Sequence, residues 1–263
     1  MIFGPKIGIV GMGVVGKAVR SACEFDSPIL VDTNDALGHT GTYEELLTCD
    51  AVYICVPSPI GADGNCDTSI LEGVLSKLKN CNGVIISKVT ATPNVYKRLS
   101  LEYSNLVHSP EFLTAANASY EYRKTEIVII GGRVPAYVNE AERIIKSDLQ
   151  EVTTVVKCSI EEASFVKYAI NSFLATKVVF MNELQQLAKA SGIDYEGIAK
   201  AINTDPRIGS SHLKVPGPDG QFGFGGMCFP KDTQALLKYA ESVNIELSVL
   251  ETAVKKNTLL RLS

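Results

Sequence analysis

Three groups of residues have the types and spacing of reacting or ligand-binding chemistry. Cys228 sits in Phe222-Gly223-Phe224-Gly225-Gly226-Met227-Cys228-Phe229-Pro230-Lys231-Asp232, where Pro230 suits the first turn of a following helix. A thiol beside the positive end of that helix reads as a nucleophile, because a thiolate is stabilised there; a small buried apolar side chain is the other reading. Lys167 and Asn171 are four residues apart on a helical pattern and project from one face. An ammonium and an amide so placed can stabilise an oxyanion or hold a water, or can simply form a solvated polar face. The third group is Gly11-Met12-Gly13-Val14-Val15-Gly16, which follows the apolar run Lys6–Val10 and opens a helical stretch to Ala22. Gly11 allows a tight turn, Gly13 the approach of a pyrophosphate, and Gly16 close helix–strand packing. Asp32, 21 residues beyond Gly11 at the end of the second apolar run, would accept hydrogen bonds from a ribose diol and repel a 2′-phosphate. The pattern therefore favours NAD over NADP, against the alternative of a glycine-rich turn without a ligand. Glu111, in Ser109-Pro110-Glu111-Phe112-Leu113, follows a strand end, where ligands sit in open α/β sheets; an ordinary helix cap is the other reading. His39, His108 and His212 have no metal-ligand spacing with one another or with cysteines, so no metal is expected.

The elements that must position these groups follow from the hydrophobic pattern. Apolar runs at Lys6–Val10, Ile29–Asp32, Ala51–Val56, Val84–Thr90, Leu106–His108, Glu126–Ile130 and Val152–Cys158 alternate with helical or turn-rich segments. Near-continuous apolar strands in such alternation imply a parallel sheet covered on both faces. After Cys158 the strand signals stop. Ser159-Ile160-Glu161-Glu162 is a capping box that opens a long helix to about Ala190, closed by Ser191-Gly192. Its apolar residues (Phe165, Ala169, Ile170, Phe173, Leu174, Val178, Val179, Leu184) cover more than a third of the circumference, which predicts a helix shared between two domains or two subunits. A helix at Tyr195–Asn203, a turn-rich loop over 205–229 and helices at Lys231–Val243 and Glu246–Leu260 complete the chain; a loop that long is normally functional or disordered. The expected fold class is α/β: a Rossmann-type doubly wound parallel sheet over 1–158, expected to bind NAD, then an all-helical central segment over 159–263, a dimerisation segment if the long helix is shared between subunits and not domains.

Composition narrows the function classes. The 263 residues are 46% apolar and 21% charged, which excludes a disordered or low-complexity chain. Twenty-five basic against 29 acidic residues, a net charge of −4, leave no surplus for a phosphate backbone, so nucleic acid is not an expected partner. No apolar run approaches the roughly 20 residues that span a bilayer, so no membrane partner is expected. Seven cysteines, an odd number without a C-x-x-C pair, suggest a reducing cytoplasm.

Together these stretches resemble the nucleotide-sugar dehydrogenases, specifically the UDP-glucose 6-dehydrogenase family. The resemblance is carried by Gly11 to Gly16 with Asp32, Val56-Pro57-Ser58-Pro59, Asp63-Gly64 with Asp67-Thr68-Ser69, Lys88-Val89-Thr90, Ser109 to Leu113, Lys167 to Glu183 and Gly225 to Asp232, in family order. It implies a four-electron oxidation of a primary alcohol of a nucleotide sugar, foremost UDP-glucose, by two NAD+ through a cysteine thiohemiacetal and thioester. Cys228 would be the nucleophile, Lys167 and Asn171 the oxyanion donors, and Glu111 and Thr90 would manage the proton and the water, with Asp232 polarising that region. Gly11, Gly13, Val14, Val15, Gly16, Asp32, Val56, Pro57 and Thr90 would line the cofactor site. Phe112, Leu113, Arg207, Phe222 and Gly225, with Lys167 and Asn171, would hold the sugar nucleotide. The resemblance also implies nucleotide-sugar metabolism leading to polysaccharide, and a homodimer through helix 160–190. Two departures stand out: Ala115 lies near the position of a further family glutamate, and the family's third, nucleotide-binding domain has no counterpart in these residues. A one-step β-hydroxyacid-type dehydrogenase, and an NAD-binding subunit that needs a partner to bring the nucleotide-binding domain, are the competing readings.

Overall fold

The computed structural model describes residues 4–23, 27–61, 64–149 and 151–262; Asp63 of the Asp63-Gly64 stretch lies outside them. Two compact units divide the chain, Met1–Gly61 with Cys66–Lys167, and Ala62–Asn65 with Tyr168–Ser263.

In the first unit all seven apolar runs form strands: β1 (Ile7–Val10), β2 (Ile29–Val31), β3 (Ala51–Ile54), β4 (Val84–Ser87), β5 (Leu106–His108), β6 (Ile127–Gly132) and β7 (Thr154–Cys158). Between them run α1 (Val14–Ala22), α2 (Tyr43–Leu46), α3 (Ser69–Lys77), α4 (Pro93–Glu102), α5 (Ala118–Arg123) and α6 (Pro135–Asp148). The strand order is β2-β1-β3-β4-β5-β6-β7, so the winding reverses between β1 and β3. The pleat explains the unbroken apolar runs. Ile7, Ile9, Tyr53 and Ile86 point to one face and pack with α1, α5 and α6, whereas Val10, Val52, Ile54 and Ile85 point to the other and pack with α2, α3 and α4.

One pairing departs from the expected parallel sheet: β5 and β6 are antiparallel, with Val107 opposite Gly132 and His108 opposite Gly131. The connection holds only the six-residue α5, about 9 Å long. The chain enters β6 at the edge where β5 ended, although residues 109–126 are as many as the 88–105 that carry β4 to the parallel β5. The parallel pair β6–β7 then resumes the winding.

The capping box forms as the sequence predicts. The Ser159 hydroxyl accepts from the Glu162 amide at 3.2 Å, and the Glu162 carboxylate accepts from the Ser159 amide at 2.7 Å. It opens α7 (Ile160–Ala190), a 31-residue helix. The second unit adds α8 (Tyr195–Ile202), α9 (Phe229–Ser242) and α10 (Ser248–Arg261). Its core has two parts, Ala175, Val179, Phe224, Ala253 and Leu260, and Met181, Ala188, Tyr195, Leu213 and Val215. Residues 203–228 have no helix or strand, yet they are tied by side chains to the helices. Lys177 donates to the carbonyls of Ile208, Gly209 and Ser211 at 3.0, 3.1 and 2.5 Å, and the Tyr195 hydroxyl donates to Leu213 O at 2.7 Å. Among the described residues no helix is long and apolar enough to cross a membrane.

Because both capping bonds are made, Ser159→Ala is expected to cost about 1 kcal/mol, read as a lower denaturant midpoint at unchanged slope. An unshifted midpoint would show that α7 does not depend on its cap.

Candidate active site

In the first unit the predicted ligand-binding residues lie beyond the carboxyl ends of β1 to β5. Gly11 takes a φ of +90°, and a Cβ there would meet Cys55 O at 2.8 Å; at Gly16 a Cβ would clash with Gly11 O. Neither position admits a side chain. At Gly13, by contrast, a Cβ would meet nothing within 4 Å, so the loop borders open space. Gly13 is the N-cap of α1 and no side chain caps the helix, whose first turn has no acidic residue. Such an end suits an anionic group. The Asp32 carboxylate accepts from the amides of Met12 at 2.6 Å and Asn34 at 2.8 Å. Burial works against its ionisation, but the amides of Met12, Asn34 and Thr33 outweigh it and hold the carboxyl below its usual range. Open space at Gly13, an uncapped helix end and an anionic Asp32 fit a dinucleotide. Val14 is exposed, Val15 half-buried, Val56 half-buried, Pro57 exposed and Thr90 half-buried, the last three following β3 and β4.

Glu111 lies three residues past β5 and well before α5, so it caps neither that helix nor another. Its carboxylate accepts from the Leu113 amide at 2.7 Å and pairs with Lys167 at 3.2 Å; the same ammonium also donates to Glu111 O. Lys167 is 4% exposed, so the reading of a solvated face does not apply to it. Phe112 covers the ammonium, its ring centroid 5.1 Å from Nζ. Glu111, Phe112 and Leu113 border a cavity of about 390 Å³, together with Lys88 and Tyr122.

In the second unit Asn171 is also buried and donates to the Asp232 carboxylate at 2.6 Å. The other Asp232 oxygen accepts from Lys231 at 2.7 Å. Asp232 stands in the first turn of α9, where its charge is favoured. Cys228 is the N-cap of α9 and Pro230 falls in the first turn, as expected. Of the seven cysteines, Cys228 is the exposed one. Burial pushes the thiols of Cys49 and Cys55 up to about 11 and about 12, and raises those of Cys81 and Cys158, which makes them poor nucleophiles. The loop before Cys228 is clamped from two helices: the Gly223 amide donates to Asn182 at 3.0 Å, and Asn257 accepts from the Phe224 amide at 2.6 Å and donates to Phe224 O at 3.0 Å. Phe222 and Gly225 are half-buried beside these bonds. Arg207 is not drawn into the group; it pairs with Asp205 at 2.6 Å and its side chain is 87% exposed.

Sequence reasoning assigns no role to Lys88, Lys177, Asn182 or Asn257. Asn182 carried a signal, since it lies 15 and 11 residues beyond Lys167 and Asn171, near whole turns of one helix. Lys88 carried another, a cation directly after an apolar strand. Asn257 lies in an ordinary amphipathic helix and carried none.

Residues 29–147 match the NAD binding domain, and residues 161–259 the central domain, of the UDP-glucose/GDP-mannose dehydrogenase family. The UDP-glucose 6-dehydrogenase AglM of Haloferax volcanii is 30% identical, over 96% of this chain and 69% of the relative. The chain belongs to the UDP-glucose/GDP-mannose dehydrogenase family. A second member of the family, the UDP-glucose 6-dehydrogenase of Rickettsia bellii, is 33% identical over 85% of this chain and 53% of its own. The solved UDP-glucose dehydrogenase of Pyrobaculum islandicum superposes with a TM-score of 0.83 at 25% identity, covering 98% of this chain and 68% of that one. The chain spans about half the length of the curated relatives it matches first. Within the family, the cofactor of the first unit is NAD.

For this family member, Asp32→Ala is expected to weaken NAD binding more than NADP binding, measured by titrating both cofactors. An unchanged preference would show that Asp32 does not hold the ribose.

Proposed function

We propose that the chain carries the redox chemistry of an NAD-dependent dehydrogenase that oxidises a nucleotide sugar in two steps, with UDP-glucose to UDP-glucuronate the favoured reaction. The observation that carries this reading is the single exposed cysteine, Cys228, at the start of α9 and one turn before the buried Asp232. The names of the relatives supply the substrate class. The Gly11 loop and Asp32 would hold NAD+, which would supply the hydride acceptor for both oxidations at the sugar C6 carbon.

The residues of the chain do the rest. Cys228 Sγ adds to the aldehyde formed in the first step and gives a thiohemiacetal; loss of a second hydride turns this adduct into a thioester. Water then cleaves the carbon–sulfur bond, releases the carboxylic acid and returns the thiol. Lys167 and Asn171 donate hydrogen bonds to the oxyanion at each tetrahedral stage. The bonds from Asn171 to Asp232, and from Lys167 to Glu111, fix both donors before substrate arrives. Glu111 with Thr90 positions the water and takes its proton. Phe112, Leu113, Phe222 and Gly225 contact the sugar, and Arg207 reaches the substrate only by leaving Asp205. A reducing compartment such as the cytoplasm keeps Cys228 as a thiol.

We also propose that a second copy of the chain covers α7. Phe173, Phe180 and Leu187, spaced by seven residues, are 68, 56 and 63% exposed. A stripe with that period on a 31-residue helix is self-complementary about a two-fold axis.

Incubation with UDP-glucose and NAD+ is expected to yield two NADH for each sugar nucleotide consumed; one NADH, with aldehyde accumulating, would eliminate the four-electron scheme. Cys228→Ser is expected to bind NAD+ as the wild type does and to form no acid, and wild-type rates in that variant would refute the covalent route. For the second copy, light scattering should report a dimer that Phe173→Asp with Phe180→Asp converts to monomer. A wild-type monomer at micromolar concentration would remove the proposal.

A further inference from the structure

Lys88 is a buried cation that the proposed reaction does not use. It follows β4 directly, its amide donates to Ile54 O at 2.9 Å, and the residue is 6% exposed. Its ammonium donates to the Ser109 hydroxyl at 3.0 Å and lies 5.5 Å from the centroid of the Tyr122 ring. Ser109 continues the ladder from β5, its amide donating to Ser87 O at 3.0 Å, and it stands two residues before Glu111. Lys88 and Glu111 border the same cavity of about 390 Å³.

We propose that Lys88 is a positioning residue for Glu111: its ammonium, docked on the Ser109 hydroxyl, fixes the Ser109–Glu111 turn and lends the Glu111 carboxylate a second positive charge beside that of Lys167. The value of this to catalysis rests on the dehydrogenase reading; the positioning itself does not.

Three observations support the assignment. An apolar side chain would fill the site without the cost of burying a charge, so packing alone does not account for a lysine there. Burial pulls the ammonium down to about 8, with Cys55, Glu111 and Asp148 partly restoring it, so its charge changes within the working range of an enzyme. The titratable and charged groups that face Lys88 are the Cys55 thiol after β3, the His108 imidazole on β5, Glu111, the Tyr122 phenol on α5 and Asp148 on α6. None of these neighbours competes near that pH: burial pushes Cys55 up to about 12, holds His108 down at about 3 and raises Tyr122 well above its usual value. Lys167 also faces Glu111, so a change near pH 8 is assigned to Lys88 by its loss in a Lys88 variant.

The test is carboxyl-carbon NMR on the full chain with 13C-labelled glutamate, the Glu111 resonance being identified by its loss in Glu111→Gln. In the wild type this resonance is expected to show a second inflection near pH 8 as Lys88 loses its proton. Lys88→Met should abolish that inflection. Lys88→Arg, whose guanidinium stays protonated, should abolish the inflection while keeping the wild-type chemical shift of the ionised carboxylate, which Lys88→Met should displace. A wild-type Glu111 resonance that is flat between about pH 7 and 9 overturns the proposal, whether or not either variant folds. So does a resonance that titrates identically in wild type and Lys88→Met. Absence of NADH formation in every form would count against the dehydrogenase reading, while the NMR outcome would still decide the positioning.

Discussion

An ammonium taken out of water needs an anion and further acceptors, and the buried pair of Lys167 with Glu111 meets that need. It joins two parts of the first unit that are far apart in sequence, the first turns of α7 and the turn after β5. Each side depends on ordinary structure. Lys167 is placed by the capping box that starts α7 two turns earlier, and Glu111 by the β5 ladder with its Ser109 continuation. The lysine meets both the carboxylate and the main-chain carbonyl of one residue, so the pair sets the path of the turn as well as its charge. The same helix presents Asn171 one turn later, and there the arrangement repeats with a shorter side chain: a buried amide meets the buried Asp232.

The inner sheet was legible because the apolar runs of β1, β3 and β4 have to serve two faces, whereas the edge strand β7 is mostly exposed. Ile7 and Ile9 face one layer of helices and Val10 the other, and a strand covered on both sides can only be written as an unbroken apolar run. The hand of one pairing was not legible. Nothing in the Ile127–Gly132 run tells whether β6 lies along β5 or against it, because burial depends on side-chain faces and not on chain direction. The length of the connection does not tell either, since residues 109–126 are as many as the 88–105 that carry β4 to the parallel β5.

Chemistry-bearing residues were legible where they are tied to a main-chain requirement. Gly11 and Gly16 are forced by backbone approach, and Cys228 is marked by Pro230 in the first turn of α9. Residues that act by holding others were harder to see, since a buried asparagine and an exposed one look alike in sequence. Arg207 shows the opposite limit. Its segment was singled out by position, yet the nearest carboxylate in sequence, Asp205, claims the guanidinium.

The clamp at Asn257 gives α10 a meaning that its own residues do not suggest. A glycine-rich loop has more backbone freedom to lose than any other kind of segment, and here much of that loss is met by one side chain that accepts from and donates to the same peptide. The order of the segment leading to Cys228 is thus borrowed from a helix near the other end of the second unit's sequence. The path of the chain at Phe224, four residues before the thiol, is set by the last two turns of α10, and the boundary of the reactive centre, drawn by what fixes it and not by what touches substrate, runs through a helix that carries no reactive group.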